Sequence, residues 1–231
     1  YANPLYLNPA FAGSIYCGRI TLNYRNQWPS ISNGFVTYNA AYDQSLDKLS
    51  SGYGLMFTGD NMGDGALASN TISGIYSYKF QASNNINVSF GMQASYYQLK
   101  MDWDKYIFGD MIDPNTGSTT NPTMESPENW NENVSFVDFS AGVMAGYSDK
   151  FFAGLAVHHL TEPDNALNKN SESKLPMKIS AHAGTQISLE TGALGVGEPD
   201  ELTISPNILY QQQQGFHQLN LGIYTNIYPF V

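Results

Sequence analysis

The chain is short of charge. Only 13% of its 231 residues are Asp, Glu, Lys or Arg, against about 25% in a typical soluble domain. Hydrophobic residues make up 42% and aromatics 13%, while the mean hydropathy is only -0.29, so Asn, Gln, Ser, Thr and Gly fill the polar positions. Few charges with many aromatics exclude a disordered chain and a Glu/Lys-rich coiled coil, and argue against a salt-bridged soluble enzyme. There is one cysteine, Cys17, so no disulfide forms within the chain, and Ser14-Ile15-Tyr16-Cys17 reads as a strand interior better than as a lipoprotein signal. No apolar run approaches the ~18 residues of a spanning helix. Basic residues number ten against twenty acidic ones, a net charge of -10, which excludes nucleic acid as a natural partner.

Helical periodicity is nearly absent, and period-two alternation takes its place. Ile86, Val88, Phe90, Met92, Ala94 and Tyr96 share one face, with Asn87, Ser89, Gly91, Gln93 and Ser95 on the other. The same alternation runs through 177–189 and 219–228. About ten strands are expected, over 19–28, 35–45, 52–60, 69–82, 86–101, 135–147, 151–161, 177–189, 201–213 and 216–228. Several reach the ~9–11 residues that cross a bilayer at a tilt. The polar face is Gly, Ser, Asn, Gln and Tyr rather than charge, which suits a barrel interior, while the aromatic-rich apolar face suits lipid. The expected fold is an all-β, antiparallel up-and-down transmembrane β-barrel forming one domain over 1–231. A large β-sandwich with an uncharged surface is the alternative.

Loop lengths bear on that choice. Connections 46–51, 83–85 and 148–150 are short, whereas 102–134 and 162–176 are long and share one parity, as in outer-membrane barrels. The 190–200 connection is of middling length, on the short side. The 102–134 segment is acidic, with three prolines and many Asn, and reads as a long, exposed, partly mobile extracellular loop. Either it carries binding, as loops on rigid scaffolds often do, or it is only solvated.

No motif announces chemistry. His158-His159 with Glu162 would be a poor metal site, because neighbours on a strand point to opposite faces. The run 60–65, rich in Asp, Asn and Gly, lacks the spacing of a calcium loop and reads as a hairpin turn. Neither a Gly-x-Ser-x-Gly elbow nor a phosphate loop is present. Neither a metal nor another cofactor is expected.

Several ordered motifs resemble the PorP/SprF family of outer-membrane proteins. They are Asn3-Pro4, Asn8-Pro9-Ala10-Phe11-Ala12-Gly13, Tyr24-Arg25-Asn26-Gln27-Trp28, Gly52-Tyr53-Gly54-Leu55, His159-Leu160-Thr161-Glu162-Pro163, Leu175-Pro176, His182-Ala183-Gly184 and 204–210. The resemblance implies a cell outer-membrane barrel freed of its signal peptide, with about 12–14 strands in a longer full protein and no enzymatic activity. It also implies a part in exporting or anchoring a large adhesin-like surface protein secreted by the type IX system, in contact with that protein, with outer-membrane lipid and with translocon subunits.

From the residues themselves, 1–18 is expected to lie in the lumen or at its rim, where small Ala and Gly permit close approach. Asn8, Pro9, Gly13, Arg25, Gln27, Trp28, His159, Glu162 and Pro163 are the expected lumenal and structural positions. Arg25 and Gln27 should point inward, and Asp43, Asp60 or Asp138 would pair with Arg25. Loops 29–34, 61–68, 102–134 and 162–176 would form a docking surface with Trp103, Tyr106, Phe108 and Trp130 as aromatic anchors. Two other functions remain open: a transport barrel for small or hydrophobic solutes, and a soluble sandwich adhesin.

Overall fold

The structure is a computed structural model that describes residues 3–30, 34–119, 122–125, 127–148, 150–189 and 202–227. The 190–200 connection and residues 31–33 of the 29–34 loop lie outside the described residues. A short helix α1 (Pro4–Leu7) comes first, followed by β1 (Arg19–Gln27), β2 (Phe35–Leu46), β3 (Ser51–Met62), β4 (Leu67–Ser83), β5 (Ile86–Met101), β6 (Asn133–Tyr147), β7 (Phe151–His158), β8 (Lys178–Thr185), β9 (Ile187–Leu189), β10 (Leu202–Gln213) and β11 (Phe216–Ile227). They form one antiparallel sheet in sequence order, with the short β9 beside β10. Eleven strands stand where about ten were expected, because the 177–189 run breaks at Gln186 into β8 and β9. Half of the expected 61–68 loop is also strand. Asn61↔Ala68 and Met62↔Leu67 are paired, which leaves a turn at 63–66. Among the described residues β1 and β11 do not pair with each other, so the sheet is open.

Burial decides between barrel and sandwich. A sandwich buries its apolar faces. Here Leu22, Met92 and Leu221 are 69–76% exposed, while Ser73, Ser77 and Ser180 are 0% exposed. The sheet is inside out relative to a water-soluble fold, as a lipid-facing wall requires.

The concave face wraps the N-terminal segment 3–13. Its two Asn-Pro pairs are built alike. Asn3 caps α1, with Pro4 in its first turn, and Asn8 caps the turn Pro9–Phe11 by accepting from Ala10 N at 2.9 Å. Proline suits these first positions because it needs no hydrogen-bond acceptor there. The segment touches β2 through Asn39 and β8 through Lys178, which stacks over the Tyr6 ring, and the strands between are contacted as well. Seven strands laid flat span about 29 Å, so contact with all of them from two tight turns requires the sheet to curl. Leu5 and Leu7 are buried. Leu5 packs in a cluster with Ala12, Ala41, Met56 and Ile75, and each leucine contributes about 1.5–3 kcal/mol.

Candidate functional site

The interior is filled in the half nearer the short turns. Inward-facing glycines make room for the N-terminal segment. A Cβ on Gly91 would overlap the backbone of Pro9 and Ala10, and one on Gly142 would strike the Asn8 side chain. Gly52 has the same relation to Ala12 and Gly13. Asn8 is fully buried. Its Nδ2 lies 3.2 Å from the Val143 and Leu155 carbonyls and 3.1 Å from His182 Nε2. Phe11 stacks on the His182 ring at 5.2 Å. Gly13, at φ 62°, ends the segment. Its N–H donates to Asp43 Oδ2 at 2.8 Å, and its carbonyl accepts from Lys79. Asn8, Pro9 and Gly13 thus pack against the middle strands of the concave face.

The inward ion pair belongs to a different arginine from the one expected. Arg19 forks onto Asp43 with Nε–Oδ1 at 2.8 Å and Nη2–Oδ2 at 3.0 Å. Arg25 is exposed and donates to Gln27 Oε1 at 3.0 Å. Register explains the exchange: Arg19 lies opposite Asp43, and Arg25 lies opposite Thr37. The other carboxylates are taken, Asp60 by the Thr37 and Ser69 hydroxyls and Asp138 by His159 and Thr161. Gln27 is half-buried on the same edge strand, and Trp28 is exposed just beyond its end.

The two adjacent histidines do not face opposite ways. His158 is buried and its Nε2 lies 3.3 Å from the Leu7 carbonyl, while His159 Nδ1 meets Asp138 Oδ2 at 2.8 Å. Alternation ends with β7 at His158, and the left-handed backbone of His159, φ 60°, turns its ring onto Asp138. Glu162 accepts from Met177 N at 3.3 Å, and the Pro163 carbonyl accepts from Leu175 N at 2.9 Å. Both hold the base of the 159–177 hairpin. Above Tyr6 a polar cavity of about 70 Å3 remains, lined among others by Asp60, Gln93, Tyr97 and Lys178. That is far below the ~300–1,000 Å3 of small-molecule pockets.

At the long-loop end the four expected aromatics come together. Trp103 lies 5.0 Å from Phe108 and 5.9 Å from Trp130, and Tyr106 lies 6.2 Å from Phe108, centroid to centroid. The loops that carry them are tied to each other. Trp130 forms a β-bridge with Asn168, Asn131 N donates to Leu167 O at 2.6 Å, and Lys169 N donates to Asn129 O at 2.9 Å. Asp102 N reaches Ala66 O at 2.9 Å, and Lys105 Nζ reaches Asp64 O at 2.8 Å. The turn 63–66, the 102–132 loop and the 159–177 hairpin therefore make one cap. Within it Asp110 accepts from Met124 N at 2.6 Å and from the Thr123 hydroxyl. The Met124 N–H, with help from Thr123, holds the Asp110 carboxyl below its usual range. Asp113 is lowered by the Asn115 N–H, and Asp164 by those of Ser173 and Ala166. Sequence reasoning found the aromatics but missed the Asn168 bridge, which has no local signal. It put Gly91 on the inward polar face but missed that the inward glycines make room for the N-terminal segment.

Among the described residues no group of three or more His, Cys, Asp or Glu converges as metal ligands, and no helix is long and apolar enough to cross a membrane.

The family model for the type IX secretion system membrane protein PorP/SprF matches residues 1–231. Among solved structures the chain is similar to BamA from Haemophilus ducreyi lacking POTRA domains 1–3. Identity is 12% over 86% of this chain, with a TM-score of 0.36. The chain spans about a third (36%) of that structure's length, and a likeness this distant carries no functional argument. No curated protein matches the chain.

Proposed function

The chain belongs to the PorP/SprF family of type IX secretion system membrane proteins, and from that premise we propose that it is a non-enzymatic outer-membrane barrel whose cap binds a large secreted surface protein and helps export or anchor it. The single observation that carries this reading is the cap itself. Three connections at one end are cross-bridged around an aromatic cluster of Trp103, Tyr106, Phe108 and Trp130. A loop that only solvated the barrel end would need no such order. Aromatic anchors on a rigid support are the usual energetic centre of protein interfaces. On this reading the long-loop end faces the cell exterior, and translocon subunits meet the same barrel.

The alternative, a barrel that passes small or hydrophobic solutes, is disfavoured by the N-terminal segment. Residues 3–13 occupy the concave face and leave a cavity of about 70 Å3 above Tyr6.

The test is made in the native host. Replacing Trp103, Phe108 and Trp130 together by Ala should leave the barrel in the outer membrane at normal level and reduce surface display of the co-purifying secreted protein at least about tenfold, a modest loss for three hot-spot residues. Normal display from a correctly inserted variant would sink the reading.

A further inference from the structure

The cap is strongly acidic. The cap segments 63–66, 102–132 and 159–177 carry eleven carboxylates against three lysines, a net charge of -8 out of -10 for the whole chain. Little of it is neutralised from within. Among the described residues one ion pair within 4 Å lies in the cap, Lys105–Asp102 at 3.9 Å. Lys174 lies opposite Asp164 across the hairpin and its charge acts on that carboxylate, and Lys169 Nζ is directed to the backbone carbonyl of Glu128 rather than to a carboxylate. The carboxylates do not converge on a metal either. Those of Asp110, Asp113 and Asp164 accept backbone N–H groups and so stay ionised at neutral pH. Between the charges lies exposed apolar surface. Met124 is 93% exposed, and Ile107 and Ile112 are exposed beside the half-buried aromatic cluster.

An acidic field around an apolar centre selects its partner by charge. Potentials across protein interfaces are complementary, and charge of one sign steers the opposite sign in while repelling its own. Resting on the cap-binding reading above, we propose that the cap docks a basic, amphipathic stretch of a protein partner. Its apolar side chains seat on Met124 and the Trp103–Trp130 cluster, and its Lys and Arg side chains meet the carboxylate rim.

Five rim carboxylates are exposed: Asp104, Glu125, Glu128, Glu132 and Glu172. The first experiment places the purified barrel in nanodiscs of zwitterionic lipid and titrates two labelled 20-residue Leu-containing peptides of one pattern, one with Lys and one with Glu at the polar positions. The Lys peptide is expected to bind at least about tenfold tighter than the Glu peptide. It should weaken about tenfold between 50 and 500 mM salt, as screening shortens the Debye length, and about tenfold again in D104N/E125Q/E128Q/E132Q/E172Q, since removing rim charge removes both steering and complementarity. Equal binding of the two peptides, binding indifferent to the five substitutions, or quenching of the cap tryptophans by millimolar Ca2+ with no peptide binding would each overturn the proposal. The same variant is then tested for surface display in the host beside a deletion of 104–128. If the deletion stops display and the charge variant does not, the basic partner is overturned and the cap-binding function stands. If neither changes display, both fall. Loss of display in both supports both.

Discussion

The lower interior and the cap handle polar groups in opposite ways. Inside, most polar and charged groups are matched within the chain: Asn8 reaches two backbone carbonyls and His182, Ser77 bonds the Ala12 carbonyl at 2.6 Å, and the Arg19–Asp43 pair is closed by the Gly13 N–H. A buried polar group without a partner costs about 1–3 kcal/mol, and such matching avoids that loss. In the cap, charge stands in water where it costs little, and most carboxylates have no cation opposite. The interior is committed to its own N-terminal segment, whereas the cap keeps charge and aromatic surface available to another molecule.

The largest expected effect comes from breaking the interior. Gly91→Val places a branched side chain against the rigid backbone of Pro9 and Ala10. It should unseat residues 3–13 and forfeit the burial of Leu5 and Leu7, about 5 kcal/mol in all. Thermal unfolding in detergent and protease access to the N-terminus read it out. Gly74→Ala on the outer face, where a Cβ meets nothing within 4 Å, is the control and should leave both unchanged. A normal melting curve for Gly91→Val would show that the glycine track does not hold the segment.

A smaller effect is expected from the two arginines. Asp43→Asn leaves the Arg19 guanidinium without its carboxylate and should cost about 3 kcal/mol, toward the lower end of the range because Arg19 retains 20% exposure. Arg25→Gln, on an exposed residue, should not move the melting temperature. Equal losses in the two variants would mean that charge on β1 matters generally and that the fork to Asp43 has no special part.

The smallest effect concerns acid and the cap alone. Asp110, Asp113 and Asp164 are held below their usual range by backbone N–H groups. The ordering they give is present above about pH 4, the ordinary Asp value, and is lost as pH falls through their lowered values. Near-ultraviolet dichroism of the Trp103–Trp130 pair should therefore weaken below about pH 4. A cap signal constant down to pH 2 would show that the aromatic packing holds without these carboxylates.

Most strand boundaries could be read from the sequence to within two or three residues, because alternation of side chains is local and strong across 69–101 and 133–147. The identity of the outer face was legible for the same reason, since polar positions rich in Ser and Gly have no use for bulk water. The break at Gln186 was not, because Ile187 and Leu189 continue the alternation across it. The paired strand residues at 61–62 and 67–68 were hidden by a turn-like composition of Asp, Asn and Gly. The cap aromatics could be named from composition, but the placing of Trp130 beside Trp103 and its bridge to Asn168, nearly forty residues on, has no local signal.

What the sequence by itself determined is an antiparallel wall with its apolar face outward, because that information repeats every two residues and needs no distant partner. What only the tertiary structure decided is who meets whom inside and above that wall: Arg19 rather than Arg25 on Asp43, both histidines turned inward, and residues 3–13 threaded over Gly52, Gly91 and Gly142. Each depends on register or on a chain reversal that brings together groups dozens of residues apart, and no local pattern encodes such a distance.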